Sequence, residues 1–186
     1  MKELSVWVRT GAQPGTEREA ARDLLLAAAS GACGVPVAAL GVGYEPGGRP
    51  LLTGVSGLHV SVSHGRGLVA VAVSAAGPVG VDAEAQRSLP VAGLARRWLL
   101  PAEAAWVHGH EEAGQALAFL KLWTAKEAMG KALGLGMREG GRYRPVPLPP
   151  SPELVPGPDG LHVAGLVTGG AVLAVASTAP AVLRLR

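Results

Sequence analysis

Residues 79–84 read Val-Gly-Val-Asp-Ala-Glu, which predicts a short β-strand that ends in two acidic side chains. Side chains two residues apart on a strand point to the same face, so Asp82 and Glu84 would stand side by side. Two carboxylates that close raise each other's pKa unless a cation lies between them. Because Mg²⁺ and Ca²⁺ prefer oxygen ligands, the pattern predicts a hard-metal site. A solvated strand end, or a turn beginning at Asp82, is the alternative.

The longest helical pattern covers residues 114–135 and carries a second group of candidate residues. Phe119, Trp123, Glu127 and Lys131 recur every four residues, which places them on one slowly turning stripe of a helix. A carboxylate and an ammonium group would therefore lie one turn apart, next to an aromatic ring. The alternative is a surface salt bridge between Glu127 and Lys131, with Trp123 in the core.

Two turn-like segments offer groups that bind phosphate. Ser63 and His64 end a predicted strand, and the Gly-Arg-Gly that follows adds a guanidinium and open backbone N–H groups. The Gly-Gly pair before Arg49 permits close backbone approach, and its guanidinium could clamp a phosphate. Taken alone, an ordinary hairpin turn is the better explanation of the Ser63-His64 segment, and a bare turn is the alternative for the segment at Arg49.

Predicted strands and helices follow the same order in both halves of the chain. A strand at 4–9 and a helix at 17–29 precede a group of strands, and the strand at 79–84 and the helix at 114–135 precede another. The Gly- and Pro-rich residues 140–160 predict a loop, with a short strand near Tyr143. We therefore expect an α+β protein of two similar lobes, residues 1–78 and 79–186, with a ligand in the cleft between them.

Composition narrows the classes of function. A net charge of +3, without a run of basic residues, argues against nucleic acid as a partner. One cysteine, Cys33, excludes an internal disulfide and a cysteine-based metal cluster. Signal-like and membrane-spanning apolar segments are missing from the sequence, because no apolar run reaches the ~18–20 residues that a span needs. We expect a cytoplasmic protein with no membrane partner.

Taken together, the four segments resemble the 4'-phosphopantetheinyl transferases, in particular the Sfp type. That family shows a Gly-Lys-Pro segment, a Ser-His strand end, a Gly-[ILV]-Asp-x-Glu strand and a Trp-x-x-Lys-Glu-Ala-x-x-Lys helix, in this order. The corresponding segments here are Gly48-Arg49-Pro50, Ser63-His64, residues 80–84 and residues 123–131.

The resemblance implies an α+β fold with pseudo-two-fold symmetry and an active site in the cleft between the lobes. The second lobe would carry the metal-binding strand and the Trp-x-x-Lys-Glu-Ala helix. The implied activity transfers 4'-phosphopantetheine from coenzyme A to a serine of an apo acyl or peptidyl carrier protein, releasing 3',5'-adenosine bisphosphate. Asp82, Glu84 and Glu127 would bind Mg²⁺, and Asp82, Glu127 and Lys131 would be catalytic.

The resemblance also implies a set of residues that contact coenzyme A. His64 and Lys131 would contact its phosphates, with Ser63, Arg49 and Arg22 as further candidates. Arg49 stands where the family has lysine. A monomer is expected. Two other functions are consistent with the motifs: a different Mg²⁺-dependent phosphate hydrolase, and a non-catalytic module that binds coenzyme A or a carrier protein.

Overall fold

The computed structural model describes residues 2–137 and 140–186 and has a mixed α+β architecture, which confirms the predicted class. Its helices are α1 (Glu17–Cys33), α2 (Val91–Trp98), α3 (Pro101–His108) and α4 (Glu112–Leu133). Its strands are β1 (Glu3–Thr10), β2 (Gly41–Tyr44), β3 (Pro50–Thr53), β4 (His59–Gly65), β5 (Leu68–Ser74), β6 (Val79–Ala85), β7 (Val155–Pro156), β8 (His162–Thr168), β9 (Ala171–Ser177) and β10 (Val182–Leu185).

Most of these strands form two four-stranded sheets. The first has the order β10-β1-β5-β4 and the second has the order β6-β9-β8-β7, while β2 and β3 form a separate hairpin. Strand β10 pairs in parallel with β1, so the last strand of the chain joins the sheet built from its first part. The sequence predicts a strand at 182–185 but does not predict which sheet receives it.

The central strands β5 and β9 are buried along their whole length, because both faces of each sheet are covered. One face of each sheet packs against the other sheet through a shared apolar cluster that includes Leu4, Leu68, Val81 and Leu173. The opposite face of the first sheet packs against α1, and that of the second packs against α4. The layer order is therefore helix, sheet, sheet, helix.

Helix α4 lies directly on β6, and Gly80 makes this approach possible. A Cβ atom at Gly80 would overlap the backbone of Ala128 and Ala132. This contact brings the helical stripe that carries Glu127 and Lys131 next to the acidic end of β6. Gly134 ends the helix with φ of 75°, the left-handed conformation typical of a helix terminus.

The edges of the two sheets meet where β4 runs beside β6. Ser61 Oγ accepts a hydrogen bond from Val81 N at 3.0 Å, and Ser63 Oγ accepts one from Ala83 N at 3.2 Å. An edge strand exposes backbone N–H groups that lack a ladder partner. The two serine hydroxyls satisfy these groups and join the sheets without extending either ladder.

One local prediction in the 140–160 loop is wrong. Residues Gly141–Tyr143 form a turn of 3₁₀ helix rather than a strand, and a two-residue strand lies instead at β7. Tyr143 is exposed, and its segment pairs with none of the sheets in the described residues. Within the described ranges 2–137 and 140–186, no helix combines the length and the apolarity needed to cross a bilayer.

Candidate active site

Asp82 and Glu84 line one cavity of about 510 Å³, next to Ser63, His64 and Lys131. Strand β6 supplies the two carboxylates, β4 supplies the serine and histidine, and α4 supplies the lysine. Residues from three sequence motifs therefore meet at one place. The cavity lies where the serine-joined edges of the two sheets approach α4.

Asp82 is 7% exposed, and its two oxygens have different surroundings. Oδ1 accepts hydrogen bonds from Lys131 Nζ at 2.7 Å and Ser63 Oγ at 2.8 Å. Oδ2 is buried and has no hydrogen-bond partner among the described residues. A buried acceptor without a partner costs about 1–3 kcal/mol, so such an atom in a native site calls for a missing partner.

Lys131 reaches across to β6 and does not form the surface salt bridge considered for the helical stripe. Its ammonium group binds Asp82 Oδ1 and also donates to Val81 O at 3.0 Å. The side chain keeps 28% of its surface exposed. The ammonium group is therefore anchored at the strand and remains accessible from the cavity.

Glu127 lies beside the same carboxylates. Burial raises the pKa of Glu127 above its usual range, and the negative charge of Asp82 raises it further, as does that of Glu84. The positive charge of Lys131 acts in the opposite direction. Three carboxylates are thus close enough to repel one another, and a cation bound among them would relieve that repulsion.

Glu84 is paired with Arg87, a residue that the sequence analysis does not single out. Arg87 binds Glu84 Oε2 at 2.7 Å, donates to Ala85 O at 3.0 Å and lines the same cavity. Its place just beyond the acidic strand is a signal that could have found it. The Arg87 guanidinium neutralises the charge of the Glu84 carboxylate, which lies near two further acidic groups.

A metal site is not preassembled in the part of the chain that the structure describes, where no three His, Cys, Asp or Glu side chains already converge. The reason is visible in the contacts of Asp82 and Glu84, which are held by Lys131 and Arg87. The unpartnered Asp82 Oδ2 and the mutual repulsion at Glu127 nevertheless fit a hard, oxygen-ligated cation. The ligand set Asp82, Glu84 and Glu127 stays a prediction.

A second cavity, of about 470 Å³, adjoins the first through His64, which lines both. Arg18 and Arg22, one turn apart on α1, line this second cavity together with the exposed Tyr44. Arg22 is therefore on the same side of the molecule as the carboxylates. Arg18 belongs to none of the sequence motifs, although its spacing of four residues from Arg22 on a predicted helix indicates a shared face.

Arg49 and Ser63, two predicted phosphate contacts, already have partners inside the protein. Arg49 donates to Lys131 O at 3.1 Å and to Ala132 O, so it binds the carbonyl end of α4 and holds the β2–β3 hairpin against it. The Ser63 hydroxyl faces Asp82. A direct phosphate contact by either side chain stays a prediction.

Trp123 and Lys126 of the helix motif contribute to packing. Trp123 is partly buried against the core, stacks on Phe119 with ring centroids 6.3 Å apart and meets Trp98 edge-on at 5.3 Å. Lys126 is completely buried and pairs with Glu103 Oε2 at 2.9 Å. These two motif residues therefore contribute to packing, whereas Lys131 lines the cavity and Glu127 lies near Asp82.

Comparison with known proteins supports the resemblance found in the sequence. Residues 78–155 match the model of the 4'-phosphopantetheinyl transferase superfamily. The chain is 32% identical over 122 residues to 4'-phosphopantetheinyl transferase HetI of Nostoc sp., a match that covers 63% of this chain and 52% of the relative. It is 27% identical over 114 residues to a 4'-phosphopantetheinyl transferase of Bacillus subtilis, covering 61% of this chain and 50% of the relative.

A third relative, 4'-phosphopantetheinyl transferase gsp of Aneurinibacillus migulanus, is 32% identical over 80 residues, which cover 43% of this chain and 33% of the relative. The chain spans about half the length of the first two curated relatives that it matches. The predicted resemblance to the 4'-phosphopantetheinyl transferases is thus confirmed. The superfamily match contains the acidic strand β6 and the whole of α4, the two elements that carry the carboxylates and Lys131.

Proposed function

We propose that this chain transfers the 4'-phosphopantetheine arm of coenzyme A to a serine of an apo acyl or peptidyl carrier protein. The observation that carries the proposal is the group of Asp82, Glu84 and Lys131 at one cavity, with Glu127 close enough to feel their charges. The neighbouring cavity is lined with cationic side chains. Phosphoryl transfer depends on positioning and charge neutralisation more than on covalent catalysis by the enzyme, and this cluster offers both.

In the proposed reaction the serine hydroxyl oxygen forms a bond to the β-phosphorus of coenzyme A. The bond from that phosphorus to the bridging oxygen breaks, and 3',5'-adenosine bisphosphate leaves. Glu127 is the candidate acceptor of the serine proton, directly or through a water. Lys131, anchored on Asp82 and still partly exposed, would stabilise the charge that develops on the leaving phosphate.

Asp82, Glu84 and Glu127 are the residues that would hold Mg²⁺, in keeping with the unpartnered Asp82 oxygen. Once bound there, the ion would neutralise negative charge on the pyrophosphate oxygens. Glu84 would first have to exchange its ion pair with Arg87 for the metal. The guanidinium released in this way would remain in the cavity, where it could bind a phosphate oxygen.

Coenzyme A would extend across both cavities. The pyrophosphate would lie beside Lys131 in the first cavity, and the nucleotide would lie beside Arg18, Arg22 and Tyr44 in the second. His64 lines both and could contact phosphate groups from either side. This placement uses the cationic side chains for the anionic end of the substrate and leaves an exposed aromatic ring for the base.

We also propose two lobes related by pseudo-two-fold symmetry, with the division near residue 78 and the cleft at the active site. Each four-stranded sheet is covered by one long helix, which supports this interpretation. Strand β10 would belong with the first lobe, because it pairs with β1. A monomer, a cytoplasmic location and the absence of a nucleic acid partner stay predictions.

Intact-mass measurement of an apo carrier protein incubated with this protein, coenzyme A and Mg²⁺ tests the proposal. We expect a gain equal to one phosphopantetheine group, which disappears with EDTA and with Asp82→Ala. Release of nucleotide products without a carrier would instead indicate a hydrolase. Binding of coenzyme A without release of 3',5'-adenosine bisphosphate, across acyl and peptidyl carriers, would indicate the non-catalytic module.

A further inference from the structure

The hydroxyl of Ser63 has both of its hydrogen-bonding directions fixed. It donates its proton to Asp82 Oδ1 at 2.8 Å and accepts the N–H of Ala83 at 3.2 Å. Ser63 is 8% exposed, so water does not compete freely for the group. Because a hydroxyl has one proton to donate, the proton given to Asp82 cannot also serve a substrate phosphate.

The contact with Ser63 determines which oxygen of Asp82 remains available. Ser63 and Lys131 both bind Oδ1, and hydrogen bonds to an ionised acceptor are roughly twice as strong as neutral ones. Oδ2, on the other side of the planar carboxylate, has no partner among the described residues. The two donors approach Oδ1 from different elements, β4 and α4, and together they restrict rotation of the carboxylate plane.

We propose that Ser63 is a positioning residue, which orients the Asp82 carboxylate so that Oδ2 faces the bound cation. This proposal rests on the proposed function, from which it takes Mg²⁺ as the cation. It assigns to Ser63 a role other than the phosphate contact implied by the family resemblance. It also makes the metal affinity depend on the packing of the two sheets, because Ser63 belongs to one sheet and Asp82 to the other.

Ser61 provides a matched control on the same strand. Its hydroxyl accepts Val81 N at 3.0 Å, and at 4% exposure it is as buried as Ser63. It therefore makes the same kind of sheet-to-sheet bond as Ser63, to the next outward-facing N–H of β6. The hydrogen bond to Asp82 is recorded for Ser63 and not for Ser61 in the described residues.

The test compares Ser63→Ala, Ser61→Ala and Ser63→Thr with the unmodified protein. Mg²⁺ binding is measured by isothermal titration calorimetry, with the metal alone and with coenzyme A present but no carrier protein. Thermal unfolding in EDTA gives the structural cost of each substitution. We expect Ser63→Ala to lose more stability than Ser61→Ala, because it also removes the hydrogen bond to the Asp82 carboxylate. Ser63→Ala alone should bind Mg²⁺ more weakly, by roughly 10- to 100-fold. Ser63→Thr, which keeps the hydroxyl, should recover most of the affinity.

Equal Mg²⁺ affinity of the two alanine variants would overturn the proposal and leave Ser63 as a structural joint like Ser61. An unmodified protein that binds Mg²⁺ in neither condition would overturn it as well. If the unmodified protein binds Mg²⁺ but modifies no carrier, the proposed transfer fails. The difference between the two alanine variants would then still decide the role of Ser63.

Discussion

Two lysines of α4, Lys126 and Lys131, each pair with a carboxylate on another element. The two pairs differ in how many of their polar atoms have hydrogen-bond partners. Lys126 donates to Glu103, Arg142 O and Arg144 O, which uses all three of its protons. Glu103 in turn accepts from the backbone N–H groups of Leu100 and Val146. The two charged side chains are almost completely buried, and their hydrogen bonds tie α3 and the loop after α4 to the helix.

The pair formed by Lys131 and Asp82 is incomplete by comparison. It lies at a cavity, the lysine is partly exposed, and one buried oxygen of Asp82 lacks a partner among the described residues. A buried ion pair whose hydrogen bonds are complete serves packing, whereas an incomplete one beside a cavity is prepared for a ligand. Satisfaction of the polar atoms, rather than residue type or position on the helix, therefore distinguishes the two lysines, and the incomplete pair supports the role proposed for Lys131.

The largest effect on stability is expected for Lys126→Met. Removal of the ammonium group leaves Glu103 charged and buried without its counterion, so the free energy of unfolding should fall by about 3–5 kcal/mol. Urea denaturation followed by circular dichroism measures this change. Lys131→Met is the matched control, because its partner Asp82 keeps a hydrogen bond from Ser63. If the free energy of unfolding fell equally in Lys126→Met and Lys131→Met, the two ion pairs would contribute equally to stability and the expected difference would be wrong.

Lys131→Met should in turn have the larger effect on transfer. Loss of a donor that stabilises developing charge typically lowers kcat by about 10²–10³-fold. Steady-state kinetics with an apo carrier and coenzyme A measures the effect, at a temperature where the variant is fully folded. A folded variant that retains more than a tenth of the activity would show that the exposed lysine is dispensable. Lys131→Arg keeps the positive charge at this position. Its activity shows how much of the loss in Lys131→Met is due to the missing charge and how much to altered packing.

Glu127→Gln should stabilise the metal-free protein at neutral pH. Burial and the neighbouring carboxylates raise the pKa of Glu127 in the folded state, so its stabilising contribution is present below the unfolded pKa. That contribution is lost as the pH rises through the folded pKa, and the neutral amide avoids the loss. Thermal unfolding in EDTA between pH 4 and pH 7 should show a growing advantage of the variant. With Mg²⁺ in excess the unmodified protein should gain more stability than the variant. In EDTA, a stability difference between the two proteins that does not change with pH would show that ionisation of Glu127 does not destabilise the folded protein.

The smallest effect is expected for Arg87→Ala, which removes the half-exposed partner of Glu84. The free energy of unfolding should change by less than about 1 kcal/mol, as is typical of ion pairs near the surface. Arg186→Ala, which breaks the exposed pair with Glu3, is a control of the same kind remote from the cavity. Only Arg87→Ala should strengthen Mg²⁺ binding, because Glu84 loses the cation that competes with the metal. Calorimetric titration of both variants checks this, and identical Mg²⁺ affinities would show that Arg87 does not compete.

The principal elements of the fold could be predicted from local patterns. The alternating strands, the longest helix and its end at Gly134 all follow from short-range sequence signals, and the structure confirms them. The two-residue period of a strand was sufficient to predict that Asp82 and Glu84 share one face. The site residues that were missed, Arg18 and Arg87, each lie within four residues of one that was found: Arg18 precedes Arg22 on α1, and Arg87 follows Glu84 just beyond β6.

The amino-acid sequence alone predicts the chemical groups and their family resemblance: two carboxylates on a strand, a third with a lysine on a helix, and a serine–histidine strand end. The partner of each group becomes visible only in the folded structure. Lys126 and Lys131 look alike in sequence, and Arg49 and Ser63 both look like free phosphate ligands. Their hydrogen bonds to Glu103, Asp82 and the end of α4 join residues far apart in the chain, and such contacts depend on how sheets and helices pack rather than on any local period.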